Sequence, residues 1–171
     1  YGVAARRSAE QTAASRIYAL AGGYLVVWAA FSLGATALQR LLARLLVVSP
    51  MMEVTSARTG AALLFIAGAY QLTPIKQACL VQCQSPLGFL MGRWRPGSAG
   101  AFRMGLEHGA HCVGCCWALM LLLFAGGVMN LAVIAALTVF VAFEKLAPFG
   151  VNGARASGVL LLAAGVWMIL V

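Results

Sequence analysis

Five apolar runs, each near the length of a bilayer-crossing helix, leave this chain few ways to fold: Ile17–Leu38, Thr59–Leu80, Gly105–Val128, Leu131–Ala147 and Ala156–Val171. A helix needs about 20 apolar residues to cross about 30 Å of hydrocarbon. Only 9% of residues are charged and 63% are hydrophobic, whereas a soluble domain carries about a quarter charged residues. The chain cannot cover a soluble core with polar surface. The expected fold is an all-α integral membrane protein, a polytopic bundle of about five transmembrane helices forming one domain over residues 1–171. Pro74 lies inside the second run and removes a backbone hydrogen bond, so that helix is expected to kink there. The piece Gln39–Val48 (QRLLARLLVV) either extends the first helix or lies along the interface. The polar opening YGVAARRSAEQTAASR does not read as a signal peptide, and a processed start or a preceding segment is expected.

The net charge is +8, from twelve Lys/Arg against four Asp/Glu. The basic residues sit between apolar runs, the pattern of topology signals and lipid-headgroup contacts rather than of a nucleic-acid surface. Arg6, Arg7, Arg16, Lys76, Arg93, Arg95, Arg103, Lys145 and Arg155 fall on one side, and Arg40, Arg44 and Arg58 on the other. The positive-inside rule then places the N-terminus and the connection between the second and third helices in the cytoplasm. Trp94 between Arg93 and Arg95 reads as an interfacial anchor.

The chemistry concentrates at the start of the third run. Two histidines and three cysteines occupy His108 to Cys116 (HGAHCVGCC). At about 100° per residue, His108, His111, Cys112, Cys115 and Cys116 share one arc of roughly 140° over about 12 Å of depth. His108, Cys112 and Cys115 form the tightest stripe. Cys79 and Cys83, four residues apart, share a face if the second helix continues past Pro74. Gly105 with Gly109, and Ala110 with Gly114, are small-xxx-small pairs that admit a close neighbour. The second helix is the natural neighbour, which would bring both cysteine groups together on the cytoplasmic side. That side is reducing, so free or metal-bound thiolates are expected rather than disulfides.

A thiolate-rich set with imidazole suits a soft metal ion: copper is favoured, with zinc and iron as alternatives. The candidate ligands are Cys79, Cys83, His108, Cys112, Cys115 and Cys116, with His111, Met104, Met120 and Glu144 as additional candidates. Cysteine is also a common small hydrophobe, and packing is the competing explanation for each one. His111 alone could equally sit at the interface. Glu144 could pair with Lys145, Arg103 or Lys76, or support His108. Met129 and Asn130 read as core and helix cap. No phosphate loop and no serine–histidine–acid set appears.

On these residues the chain resembles a bacterial domain-of-unknown-function family described as metal-binding integral membrane proteins. The matching strings are AGAYQLTPIKQACLVQCQSPLGF (Ala67 to Phe89), WRPGSAGAFRMGLEHG (Trp94 to Gly109), CVGCCWALMLLLFAGGVMN (Cys112 to Asn130) and EKLAP (Glu144 to Pro148), with GGYLVVW at Gly22 to Trp28. The resemblance implies a helical bundle in the bacterial inner membrane and metal-related roles for Cys79, Cys83, His108, Cys112, Cys115 and Cys116. It implies no such role for His111, whose position varies in the family. It also implies a further N-terminal membrane segment, a helix pair ahead of this chain.

Three functions fit these features. The first is a membrane-embedded copper binder that handles or delivers the ion. The second is a membrane thiol–disulfide or thiol–quinone oxidoreductase using Cys112-x-x-Cys115, which the cytoplasmic placement disfavours. The third is an accessory or purely structural subunit of a larger membrane complex, such as a metalloenzyme in whose service the first role would fall. The first reading, which is not catalytic, takes precedence. The expected partners are membrane lipid and other membrane subunits, not nucleic acid.

Overall fold

A computed structural model of the protein describes residues 2–45, 56–146 and 150–170, with side chains from residue 12 onward except at 150. Among these residues the fold is all helical. In chain order the helices are α1 (Gly2–Arg44), α2 (Ala57–Gln71), α3 (Pro74–Gln84), α4 (Pro86–Gly92), α5 (Gly97–Gly126), α6 (Leu131–Leu146) and α7 (Gly150–Leu170). Three segments are long and apolar enough to cross a membrane: Thr12–Arg44, Gly97–Gly126 and Val151–Leu170.

The expectation of five helices is corrected to seven among the described residues. The second apolar run is not one helix kinked at Pro74. It is two, because α2 stops at Gln71 and α3 starts at Pro74. Pro74 occupies the first position of α3, where its missing N–H costs nothing. The Thr73 side chain caps that helix by accepting the Lys76 backbone N–H at 3.2 Å. The seventh element is the short α4, in the polar-flanked string after Gln84. Two starts also move: α5 begins at Gly97 rather than Gly105, and α7 at Gly150 rather than Ala156. Gln39 to Arg44 extend α1, so that stretch does not turn along an interface. Residues 46–48, Ala147, Pro148 and Val171, which entered the sequence-based boundaries and strings, lie outside the described residues, as do the side chains of Arg6 and Arg7.

Elements of both directions pack around α5. α1 runs parallel to it, with Ser15 hydroxyl 2.8 Å from that of Ser98 near one end and Val27 against Gly109 further along. α3 and α6 run antiparallel to α5, and α2 packs antiparallel to α7. The α1–α5 crossing is set by glycines. A Cβ on Gly23 would strike the Phe102 carbonyl, and one on Gly105 the Leu20 carbonyl. Gly105 and Gly109 therefore do admit a close neighbour, but it is α1, not the second helix. Gly114 is the position that admits α3, since a Cβ there would come within 2.9 Å of Cys79 Sγ.

Between α5 and α6, Gly127 takes φ +90°, and the Asn130 side chain accepts the N–H groups of Ala132 and Val133 at 3.1 and 3.4 Å. Asn130 is thus the cap expected from the sequence. The core lies where α2, α5, α6 and α7 meet: Ala67, Ala118, Leu119 and Leu122 are buried, with Tyr70, Trp117 and Phe140 packed against them. A second buried group, Leu80, Cys115, Cys116 and Ala154, joins α3, α5 and α7.

Candidate metal centre

The cysteines come together because α3 restarts one turn after α2 ends and lies along the Gly114 face of α5. Cys83, near the end of α3, then points at Cys115, and their sulfurs are 3.6 Å apart. Metal–sulfur bonds of about 2.3 Å would place two sulfurs about 3.8 Å apart at a tetrahedral angle and about 4.6 Å apart when collinear. The pair already stands near the short end of that range. Cys79 Sγ lies against Gly114, one turn up α3.

Cys112 is buried and held from two sides. Its sulfur shares a 3.3 Å hydrogen bond with the Tyr24 hydroxyl and accepts one from the Lys145 ammonium at 3.0 Å. The close glycine crossing brings Tyr24 in from α1, and the last turn of α6 brings Lys145. The thiols of Cys115 and Cys116 donate to the Cys112 carbonyl, each at 3.1 Å. All five cysteines are free thiols.

The imidazoles stand on the other side of Cys112. His108 stacks at a tilt between Phe89 and Tyr24, with ring centroids 5.1 and 6.0 Å away. Its Nδ1 is buried without a hydrogen-bond partner among the described residues. His111 is turned away from the sulfurs: its Nδ1 lies 2.6 Å from the Glu107 carbonyl and its ring meets Phe89 edge-on. The aromatic lid over the histidines is therefore Phe89, from α4.

Of the sequence-based candidates, the structure gathers Cys79, Cys83, Cys112, Cys115 and Cys116, with His108 one turn from Cys112 and Met120 packed against the Cys115–Cys116 group. It separates the others. Met104 is buried in a cleft with Leu20 and Leu90. Glu144 does not reach His108. It is buried with Lys76, whose ammonium donates to Oε2 at 2.7 Å. Gln71 donates to Glu144 Oε1 at 2.7 Å and to the Ser157 hydroxyl at 2.9 Å, and Gln84 donates to the Glu144 carbonyl at 2.8 Å. This network ties the α2–α3 break to α6 and α7. Two consecutive residues of α6 thus serve two buried sites, Glu144 the network and Lys145 the Cys112 sulfur. Glu107 instead gathers Arg93, Arg95 and Arg103 at 3.0–3.5 Å.

Sequence reasoning missed Tyr24 and the lid Phe89. It considered Lys145 as a topology charge and as a partner for Glu144, not as a partner for a sulfur. A tyrosine directly after Gly23 was a usable signal, since a glycine at a helix crossing lets the backbones approach and brings the adjacent side chain within reach of the neighbouring helix. The depth of the site also needs correction. Because α5 starts at Gly97, Cys112 lies fifteen residues inside the helix, roughly 22 Å from its start, and not at its mouth. It stands about 7.5 Å along the axis from Glu107 and its ring of arginines.

The donor set is soft, and an orphaned buried imidazole nitrogen adjoins it, which suits a thiophilic ion. Among the described residues no three His, Cys, Asp or Glu side chains already stand so as to hold a metal ion. Two thiols point back at the backbone, and an ammonium covers the third sulfur. No curated protein and no solved structure matches the chain. The chain belongs to the PpoB2 copper chaperone family, whose model matches residues 1–168.

Proposed function

We propose that the protein is a multi-pass membrane copper chaperone of the bacterial inner membrane that takes up Cu(I) on Cys83 and Cys115 and passes it on through Cys112. The observation that carries this reading is the 3.6 Å approach of Cys83 and Cys115 sulfurs across the α3–α5 contact. Two thiolates satisfy a soft monovalent ion, and a bis-thiolate copper complex carries one negative charge. Lys145, 3.0 Å from Cys112 Sγ, supplies the opposite charge within the same apolar pocket, where charges interact strongly. Cys112 is then the exchange ligand, and His108, with its unpaired Nδ1 one turn away, is the next donor along the exit path. Cys116 and Cys79 flank the pair, and Met120 adds a thioether beside it. Ion transfer by ligand exchange needs donors in succession rather than one closed cage, and a line of donors is what this geometry supports.

The arginine ring around Glu107 and the charge bias along the sequence support placing the site toward the cytoplasmic leaflet. The apolar outer surface of α1, where Leu25, Leu33 and Leu41 are exposed, fits contact with lipid or with a membrane-embedded recipient.

The test is elemental analysis and competition with a Cu(I)-specific chelator on detergent-purified protein, beside Cys83→Ser, Cys115→Ser and Cys112→Ser. One tightly held copper per chain is expected, lost in the first two variants. Retention in Cys112→Ser with slowed transfer to an acceptor chelator is expected for an exchange ligand. Stoichiometric copper that survives both Cys83→Ser and Cys115→Ser would overturn the assignment.

A further inference from the structure

We infer that the cleft between α1 and the α4–α5 corner is a binding site for an anionic phospholipid. The inference rests on the membrane-spanning reading above. The cleft encloses about 350 Å³ and has an apolar floor that includes Ile17, Leu90 and Met104, with Arg16, Trp94 and Arg95 also lining it. Met104, one of the sulfur candidates, is thus the floor of a different site.

Three features select the occupant. First, Arg16 Nε is buried and has no hydrogen-bond partner among the described residues. Leaving such a donor unsatisfied is destabilising, the more so where the group is charged. Second, the neighbouring charge is unbalanced among the described residues. Glu107 faces Arg93, Arg95 and Arg103, so one described carboxylate meets three guanidiniums before Arg16 is considered. An anion is the complement, and phosphate oxygens match the guanidinium fork in a paired geometry. Third, the floor beneath the arginines is apolar, which a free phosphate cannot use but an acyl chain can. Basic pockets between membrane helices bind anionic headgroups for these reasons. Trp94, 64% exposed at the rim, has the amphipathic ring that settles at the headgroup level. A lipid there would bridge α1 to the corner that carries Phe89, the lid on His108.

The test uses the full chain in nanodiscs and in detergent. Native mass spectrometry should show phosphatidylglycerol retained at least tenfold more tightly than phosphatidylcholine. Arg16→Gln should abolish that preference, and Arg16→Lys should keep part of it. Brominated phosphatidylglycerol should quench a fluorescence component that is missing in Trp94→Phe. Copper stoichiometry measured in the same samples should be unchanged by Arg16→Gln, which also shows that the variant folds. Equal retention of the two lipids, or a preference that survives Arg16→Gln, overturns the inference. Full displacement of phosphatidylglycerol by millimolar inorganic phosphate would assign the site to free phosphate and overturn it as well. Release of the protein from membranes by alkaline carbonate would instead sink the membrane reading itself, and loss of copper binding with the lipid preference intact would sink only the chaperone assignment.

Discussion

The Lys145 ammonium donates a 3.0 Å hydrogen bond to Cys112 Sγ. A lysine inside an apolar bundle normally has a carboxylate for a partner, and the adjacent residue of α6, Glu144, is one. Glu144 is engaged elsewhere, by Lys76. The cation that remains is left to sulfur, which makes Lys145 the electrostatic complement of whatever negative complex forms on the thiols.

Replacing Lys145 by Met should therefore weaken Cu(I) binding about tenfold, the equivalent of about 1.4 kcal/mol. Lys145→Arg should restore most of it. Chelator competition at fixed pH measures both. Unchanged affinity in Lys145→Met would show that the ammonium is a packing contact and not a countercharge.

The Lys76–Glu144 pair should be the larger determinant of stability. Both side chains are almost completely buried. Removing one partner of such a pair leaves an uncompensated charge and costs roughly 3–5 kcal/mol. Glu144→Gln should lower the melting temperature in detergent markedly, and Lys76→Met with Glu144→Leu together should be less harmful than Glu144→Gln alone. A double variant worse than the single one would mean that the pair also sets the geometry of the α2–α3 break.

Oxidation should report on the sulfur geometry. With a mild oxidant in the absence of copper, the first disulfide to form should join Cys83 and Cys115, whose sulfurs are 3.6 Å apart. Peptide mapping under non-reducing conditions identifies it, and prior loading with Cu(I) should protect both thiols. A first disulfide through Cys79 would contradict the α3 register described here.

The glycine crossing of α1 and α5 predicts intolerance to small additions. Gly105→Ala and Gly23→Ala each set a methyl group on a backbone carbonyl of the partner helix. Overpacking of this kind costs about 1–3 kcal/mol, and by parting the helices it should draw Tyr24 away from Cys112. Gly34→Ala, on α1 with no described atom within 4 Å of the added methyl position, is the control and should be neutral. Thermal unfolding of the three variants in detergent tests the comparison.

Much of this protein could be read without coordinates. Apolar run lengths determine that the chain is helical, and three of the described helices have the length and hydropathy of membrane spans. The i, i+3 and i+4 spacing from His108 to Cys116 determines that these groups share one face, because helical periodicity is a local property. The cap at Asn130 is likewise local chemistry.

What the sequence left open was decided by which surfaces meet. Gly105 and Gly109 announce a close approach but do not name the helix that makes it, and the structure assigns α1. Pro74 announces a disturbance, but whether it bends one helix or begins another depended on Thr73 capping α3 and on Gln71 finding Glu144 and Ser157. Glu144 had several possible partners, and only the stacking of α6 on α3 selected Lys76 and so directed Lys145 to Cys112. Periodicity fixes the direction of a side chain relative to its own helix. The neighbour it meets depends on rigid-body packing between segments distant in sequence, and that is where the thiol cluster of this chain acquires its tyrosine and its lysine.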